Sequence, residues 1–231
     1  IGMGINMDLE NVYFSNLKKF DGKKLRRLNL SEIGQIAGRA GRYLSDGNFG
    51  ITGDCKEVNA EEVELLENHK FEEIRTLIWR NSNLNFNNAS SLIKSLEEKP
   101  NKDWLKKVHE CEDEKVLKYF LKDLHTHKIS ENHEVLSLLW ECCQIPDFVK
   151  KNYGHHLEVV SKVFSFLSGK EKKITNSYMK QQLSVLNKLE GNVDSLSNRI
   201  ANVRTWSYVS NKANWVENQD YWIERTKSLE D

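Results

Sequence analysis

Proline is nearly missing from this chain of 231 residues, where only Pro100 and Pro146 occur. So few helix breakers permit long helical stretches and exclude proline-rich linkers or recognition segments. Charge of one sign is also lacking. The 34 basic and 34 acidic residues cancel to a formal net charge of zero. A global basic field for nucleic acid is thereby excluded, and any such contact must use a local patch. No apolar run approaches the roughly 20 residues of a membrane-spanning helix, so no membrane partner is expected. Cysteine is scarce and poorly spaced: Cys55, Cys111 and the adjacent Cys142 and Cys143 form no CxxC pair. That spacing speaks against a zinc site or a disulfide framework and for reduced, packed thiols. The seven histidines lack a matching set of cysteines or carboxylates, so no metal site is expected. A GxxxxGK[ST] phosphate loop is absent, as is an Asp-Glu-x-His or Asp-Glu-x-Asp box. The opening "IGMGINMD" has no initiator Met, no basic n-region and no long apolar core. The chain ends in a helical pattern without a stop signal. Both ends therefore read as cuts in something longer.

What is present divides unevenly. Seven of the twelve glycines fall before position 48, and β-like runs accompany them. "NVYFSN" (11–16) and "NFGITGD" (48–54) read as short strands, and "LKKFDGKKLRRL" (17–28) reads as a hairpin turning at Asp21-Gly22. From about residue 58 the pattern turns helical. Asn59 and Glu62 have the spacing of a capping box. Val116, Phe120 and Leu124, and then Val135, Leu138, Leu139 and Cys142, recur at helical intervals, the second set with Ser130 as a candidate cap. The expected fold is an α/β remnant with a β-hairpin over 1–57, followed by an all-α helical domain over 58–231. With 39% hydrophobic residues the chain can bury a core.

"GQIAGRAGR" (34–42) carries the chemistry. Taken as a helix over 31–42 capped by Asn29 or Ser31, it sets Ile33, Ala37 and Ala40 on one small apolar face. Gln35, Arg39 and Arg42 then form a stripe on the opposite face, with Gly38 and Gly41 baring the backbone beside them. Forked guanidinium donors next to exposed backbone suit a polyphosphate, and an arginine so placed can stabilise the transition state of phosphoryl transfer. The alternative is an exposed basic helix whose glycines only relax packing.

"QIAGRAGR" (35–42) has the pattern Q-x-x-G-R-x-G-R and resembles motif VI of the DExH-type helicases of superfamily two. "IGMGINMD" (1–8) is similar to the later part of their motif V. Within that family the similarity is greatest to the ATP-dependent RNA helicases of the mitochondrial RNA-degrading complex and their bacterial relatives. It is carried by "RRLNLSEIGQIAGRAGR", "DGNFGITG", "WRNSNLNF", "LLWECCQIPDF" and "RIANVRTWSYV". The resemblance implies the C-terminal portion of a helicase that couples ATP hydrolysis to RNA unwinding, starting inside motif V. Residues 1–57 would then be the end of a second RecA-like domain. It implies arginine fingers at Arg39 and Arg42, with Gln35 positioning the attacking water or the γ-phosphate. It further implies nucleotide contacts at Gly4, Asn6 and Gly38, although many relatives carry Asp in place of Asn6. ATP and Mg2+ would be bound mainly by a part outside this chain, so the chain alone is expected to be inactive. RNA is the implied partner and an exoribonuclease a further one. A bacterial cytoplasm or a mitochondrial matrix is the implied location.

Six basic residues crowd positions 18–27, the densest charge in the sequence. Lys18, Lys19, Lys23, Lys24 and Arg26 could neutralise phosphates while Phe20 stacks on a base. The same lysines could equally protect a solvated strand edge. By resemblance, this hairpin occupies the place of a strand-separating pin. The six tryptophans fit core packing, or less readily stacking on RNA, and Arg199 and Arg204 near Trp206 are weaker candidates for RNA contact. The competing expectation is a non-catalytic helical adaptor binding RNA or an acidic protein.

Overall fold

A parallel pair of strands, β1 (Asn11–Phe14) and β4 (Asn48–Ile51), forms the frame of the N-terminal region, with Asn11 opposite Asn48 and Phe14 opposite Ile51. Between them the chain makes β2 (Lys18–Phe20), β3 (Leu25–Arg27) and the crossover helix α1 (Leu30–Ala37). After β4 comes α2 (Ala60–Glu67), which packs on α1. The computed structural model describes residues 9–20, 24–41, 45–55, 58–122, 132–150, 152–188 and 190–230. It divides into two compact units, Ile1–Arg75 and Thr76–Asp231. The change of pattern at residue 58 is thus not where the first unit ends. Helix α2 belongs to that unit because Leu66 is buried with Ile33, Phe14, Leu17 and Leu28 in its small core. Full burial of a side chain such as Ile33 is worth about 1.5–3 kcal/mol.

Strands β2 and β3 pair antiparallel, as the hairpin reading requires, with Lys18 opposite Arg27 and Phe20 opposite Leu25. The register leaves residues 21–24 between them, more than a two-residue turn at Asp21-Gly22 would need. The core explains the shift. Leu17 and Leu28 are both buried, and the Leu28 N–H donates to the Leu17 carbonyl at 2.7 Å. A two-residue turn would slide Arg26 opposite Leu17 and put a charge where the core needs an apolar group. Asp21 and Gly22 themselves lie outside the described residues.

The second unit holds a larger core. It contains α3 (Ala89–Glu97), α4 (Glu112–Leu121), α5 (His133–Cys143), α6 (Tyr153–Leu167), α7 (Asn176–Leu186), α8 (Val193–Asn211) and α9 (Gln219–Glu230). Helices α4, α5 and α6 pack in succession, and α7, α8 and α9 pack on one another. Leu117, Leu136, Leu139, Val160, Val163 and Met179 lie at its centre. Trp140, Trp206, Trp215 and Trp222 are buried there, as core packing requires, while Trp104 stays 49% exposed. The Trp222 indole N–H donates to Asn176 Oδ1 at 2.8 Å, so its polar edge is satisfied. Cys142 and Cys143 are buried free thiols, and burial pushes both thiols well above the usual range.

Two sequence expectations fail in this unit. It is not all-helical: β5 (Leu77–Trp79) pairs parallel with β6 (Leu105–Lys107), Leu77 opposite Leu105. Such a pair is set by partners distant in the chain rather than by local propensity. Helix α5 is capped by Asn132, whose side chain accepts from the N–H groups of Glu134 and Val135, and Ser130 lies outside the described residues. Its buried face is Leu136, Leu139, Trp140 and Cys143 with Cys142, so Val135 and Leu138 stand at its margin.

Candidate functional site

Helix α1 begins as its residues dictate. The Asn29 side chain accepts from the Glu32 N–H at 2.9 Å, and Glu32 Oε2 accepts from the Asn29 N–H at 3.0 Å. This capping box satisfies two of the donors a helix start leaves open. Ile33 and Ala37 face the core and Gln35 faces outward. The helix then stops sooner than its periodicity predicts. Gly38 is the C-cap, with its N–H donating to the Gly34 carbonyl at 2.8 Å, and Arg39 and Ala40 lie in a turn. A helix over 31–42 is therefore ruled out, and Arg39 lies past its end, its N–H donating to the Ile36 carbonyl at 3.1 Å. Arg39 is half-buried and Arg42 lies outside the described residues.

Tertiary contacts end the helix. Ala40 forms a parallel bridge with Leu9, and the Gly41 N–H donates to the Leu9 carbonyl at 2.6 Å. The residue that follows the motif V-like segment thus seats directly on the motif VI-like turn. Gly41 has φ +76°, a left-handed conformation that a side chain would strain. Gly47 closes the turn from the other side: a Cβ there would stand 2.1 Å from the Ala40 carbonyl carbon and from the Gly41 nitrogen. Gly41 therefore serves the fold of this turn, whereas the sequence suggested only an uncovered surface. Gly34 is fitted as well, since a Cβ on it would meet the Phe71 ring at 2.6 Å.

The basic strand pair is braced against α1 and α2. Arg26 forks onto Glu32 with distances of 2.8 and 2.9 Å, and the Lys19 ammonium pairs with the same carboxylate. The next residue, Arg27, forks onto Glu62 at 2.5 and 2.8 Å. Glu62 is the capping-box residue of α2, as Glu32 is of α1, so each glutamate holds a helix start and an arginine together. Hydrogen bonds from Arg26 and then Lys19 hold the Glu32 carboxyl well below the ordinary carboxylate value of 4.5, and the Arg27 hydrogen bond lowers Glu62. Of the residues expected at a nucleic-acid surface, Lys19 and Arg26 thus share a carboxylate, and Lys18 and Lys24 are exposed. Lys23 and the Phe20 side chain fall outside the described residues, as do Gly4 and Asn6. In the second unit, Arg204 Nε meets Glu230 Oε1 at 2.7 Å and Arg199 donates to the Glu190 carbonyl. Among the described residues no cluster of three or more His, Cys, Asp or Glu could hold a metal ion.

The chain is 47% identical over 66 residues to the mitochondrial DExH-box ATP-dependent RNA helicase DExH16 of Arabidopsis thaliana. That match covers 29% of this chain and 11% of the relative. It is 46% identical over 66 residues to the mitochondrial ATP-dependent RNA helicase SUV3 of Oryza sativa subsp. japonica, with the same coverage. It is 52% identical over 44 residues to the exosome RNA helicase MTR4 of Homo sapiens, 19% of this chain and 4% of that one. No protein-family model matches the chain. The chain is a relative of the DExH-type RNA helicases. It spans only about a tenth of the length of the first two of these helicases.

For a DExH-type relative, the motif alone pointed to Gln35, Arg39 and Arg42 but not to what holds them. Gly47 and Phe71 were missed because their partners are separated from them in the chain. Glu62 was legible as a capping-box acid, yet nothing in the sequence paired it with Arg27, or Glu32 with Arg26.

Proposed function

We propose that this chain is the part of an ATP-dependent RNA helicase that carries its phosphate-sensing arginines and a strand-separating β-pair. On this reading residues 9–55 belong to a RecA-like domain, for which the β1–α1–β4 parallel crossover is the expected unit. Arg39 and Arg42 meet the terminal phosphate of ATP, Gln35 orients the attacking water, and Gly4, Asn6 and Gly38 border the nucleotide. The nucleotide's other phosphates and Mg2+ are held mainly by a partner domain. The residues at hand fit a phosphate. Arg39 sits on a glycine-fitted turn with one defined backbone path, the preorganisation that phosphoryl transfer needs. Lys18, Lys24 and the neighbouring Lys23 and Phe20 contact RNA, and Lys19 and Arg26 hold the strand pair. The mitochondrial names of two relatives support a mitochondrial location, and an exoribonuclease is the further partner on this reading.

The single observation that carries this is the turn: Gly38 to Gly41 pinned by Leu9 on one side and Gly47 on the other. Arg42→Ala in the full-length protein tests it. ATP turnover is expected to fall about a thousandfold or more while RNA binding persists. Unchanged turnover with weakened RNA binding would overturn the motor and favour the adaptor.

A further inference from the structure

Helix α1 has a different attachment at each end. In its first turn Glu32 takes the Arg26 fork and the Lys19 ammonium from the β2–β3 pair. Its C-terminal end runs straight into Gly38 and the Arg39 turn. Between the two, Ile33 and Ala37 are buried in the core and Gly34 lies under Phe71, so the helix cannot slide against its surroundings without losing packing. Both carboxylate oxygens are used, since Oε2 also accepts from the Asn29 N–H. The strand pair's other anchor, Arg27 on Glu62, reaches α2, which does not lead to the arginine turn.

We propose that Glu32 is a positioning residue that couples the β2–β3 pair to the Arg39 turn, so that through α1 the strand-separating element and the phosphate-sensing arginines move as one rigid piece. This deepens the function proposed above and rests on it. A Glu32→Gln substitution isolates the coupling, because glutamine at that position can still complete the capping box while the charge pairing with Arg26 and Lys19 is lost. The readout is the number of strands separated per ATP hydrolysed, measured on the full-length protein at saturating RNA.

The ratio is expected to fall roughly fivefold or more, while ATP turnover stays within about twofold, since Glu32 meets neither nucleotide nor RNA. A merely structural role would not move this ratio, because unfolded molecules drop out of both quantities. Glu62→Gln, with the same local chemistry on α2, is expected to leave the ratio unchanged. An unchanged ratio in Glu32→Gln, or an equal fall in Glu62→Gln, would overturn the coupling. An unaltered protein that turned over no ATP would instead defeat the functional reading itself.

Discussion

The two units of this chain are held together by different means. The first has a small core and depends on glycines cut to fit and on carboxylates shared between helix starts and arginines. The second buries four tryptophans and a run of aliphatic side chains, and its ion pairs are secondary. Arg80 shows the contrast: it forks onto Asp113 at 2.8 and 3.0 Å and lies over the Trp140 ring, 5.2 Å from its centroid. Beside it Glu114 is only 2% exposed, and burial pushes its carboxyl up rather than down. The lesson is that a short α/β unit gets its single conformation from steric and polar fit, while a larger helical unit gets it from buried area.

The comparison can be broken most severely at Gly47. A Gly47→Ala substitution drives a methyl into the backbone of Ala40 and Gly41, so we expect a loss of about 4 kcal/mol or more. Hydrogen exchange should then show the Gly41 N–H unprotected while the second unit keeps its protection. Leu139→Ala is the counterpart in the helical core. It should cost about 3 kcal/mol, by denaturant unfolding followed at the tryptophans, and should leave Gly41 protected.

Acid sharpens the contrast through its sign. Glu32 and Glu62 are lowered in the folded state, so their contribution is fully present above the ordinary value of 4.5 and fades as pH falls below it. Glu114 is raised, so protonating it relieves a burial cost as pH falls toward 4.5, opposing the loss at lowered Glu110. The first unit should therefore open first on acidification, which backbone exchange measured across a pH series would detect. Simultaneous opening would contradict it. The smallest effect is expected from Asn192→Ala, which removes the N-cap of α8 and should cost about 1 kcal/mol in thermal unfolding.

Part of the helical framework could be read from single residues, as at Asn29 and Asn59, although α5 is capped by Asn132 in place of the expected Ser130. Asparagine caps α1, α2, α3, α5, α6 and α8, and each such cap acts on N–H groups two or three places away. The apolar period of α4 likewise met the core at Val116, with Phe120 packed against it, while Leu124 lies outside the described residues. What escaped was whatever needed a distant partner. The β5–β6 pair joins residues 77–79 to 105–107 with too short a run for an alternating pattern to develop. The end of α1 escaped for the same reason: Ile33, Ala37 and Ala40 continue the helical period, yet Ala40 leaves it to bridge Leu9.

By itself the amino-acid order determined the kinship with DExH-type helicases, the helix starts and the charge of the β2–β3 pair, because these depend on identity and near neighbours. Only the tertiary structure decided where α1 stops, why Gly41 and Gly47 must be glycine, and which carboxylates receive Arg26 and Arg27. Those outcomes depend on backbone approaching backbone and on ion pairs closing across the fold, and neither leaves a periodic trace in the chain.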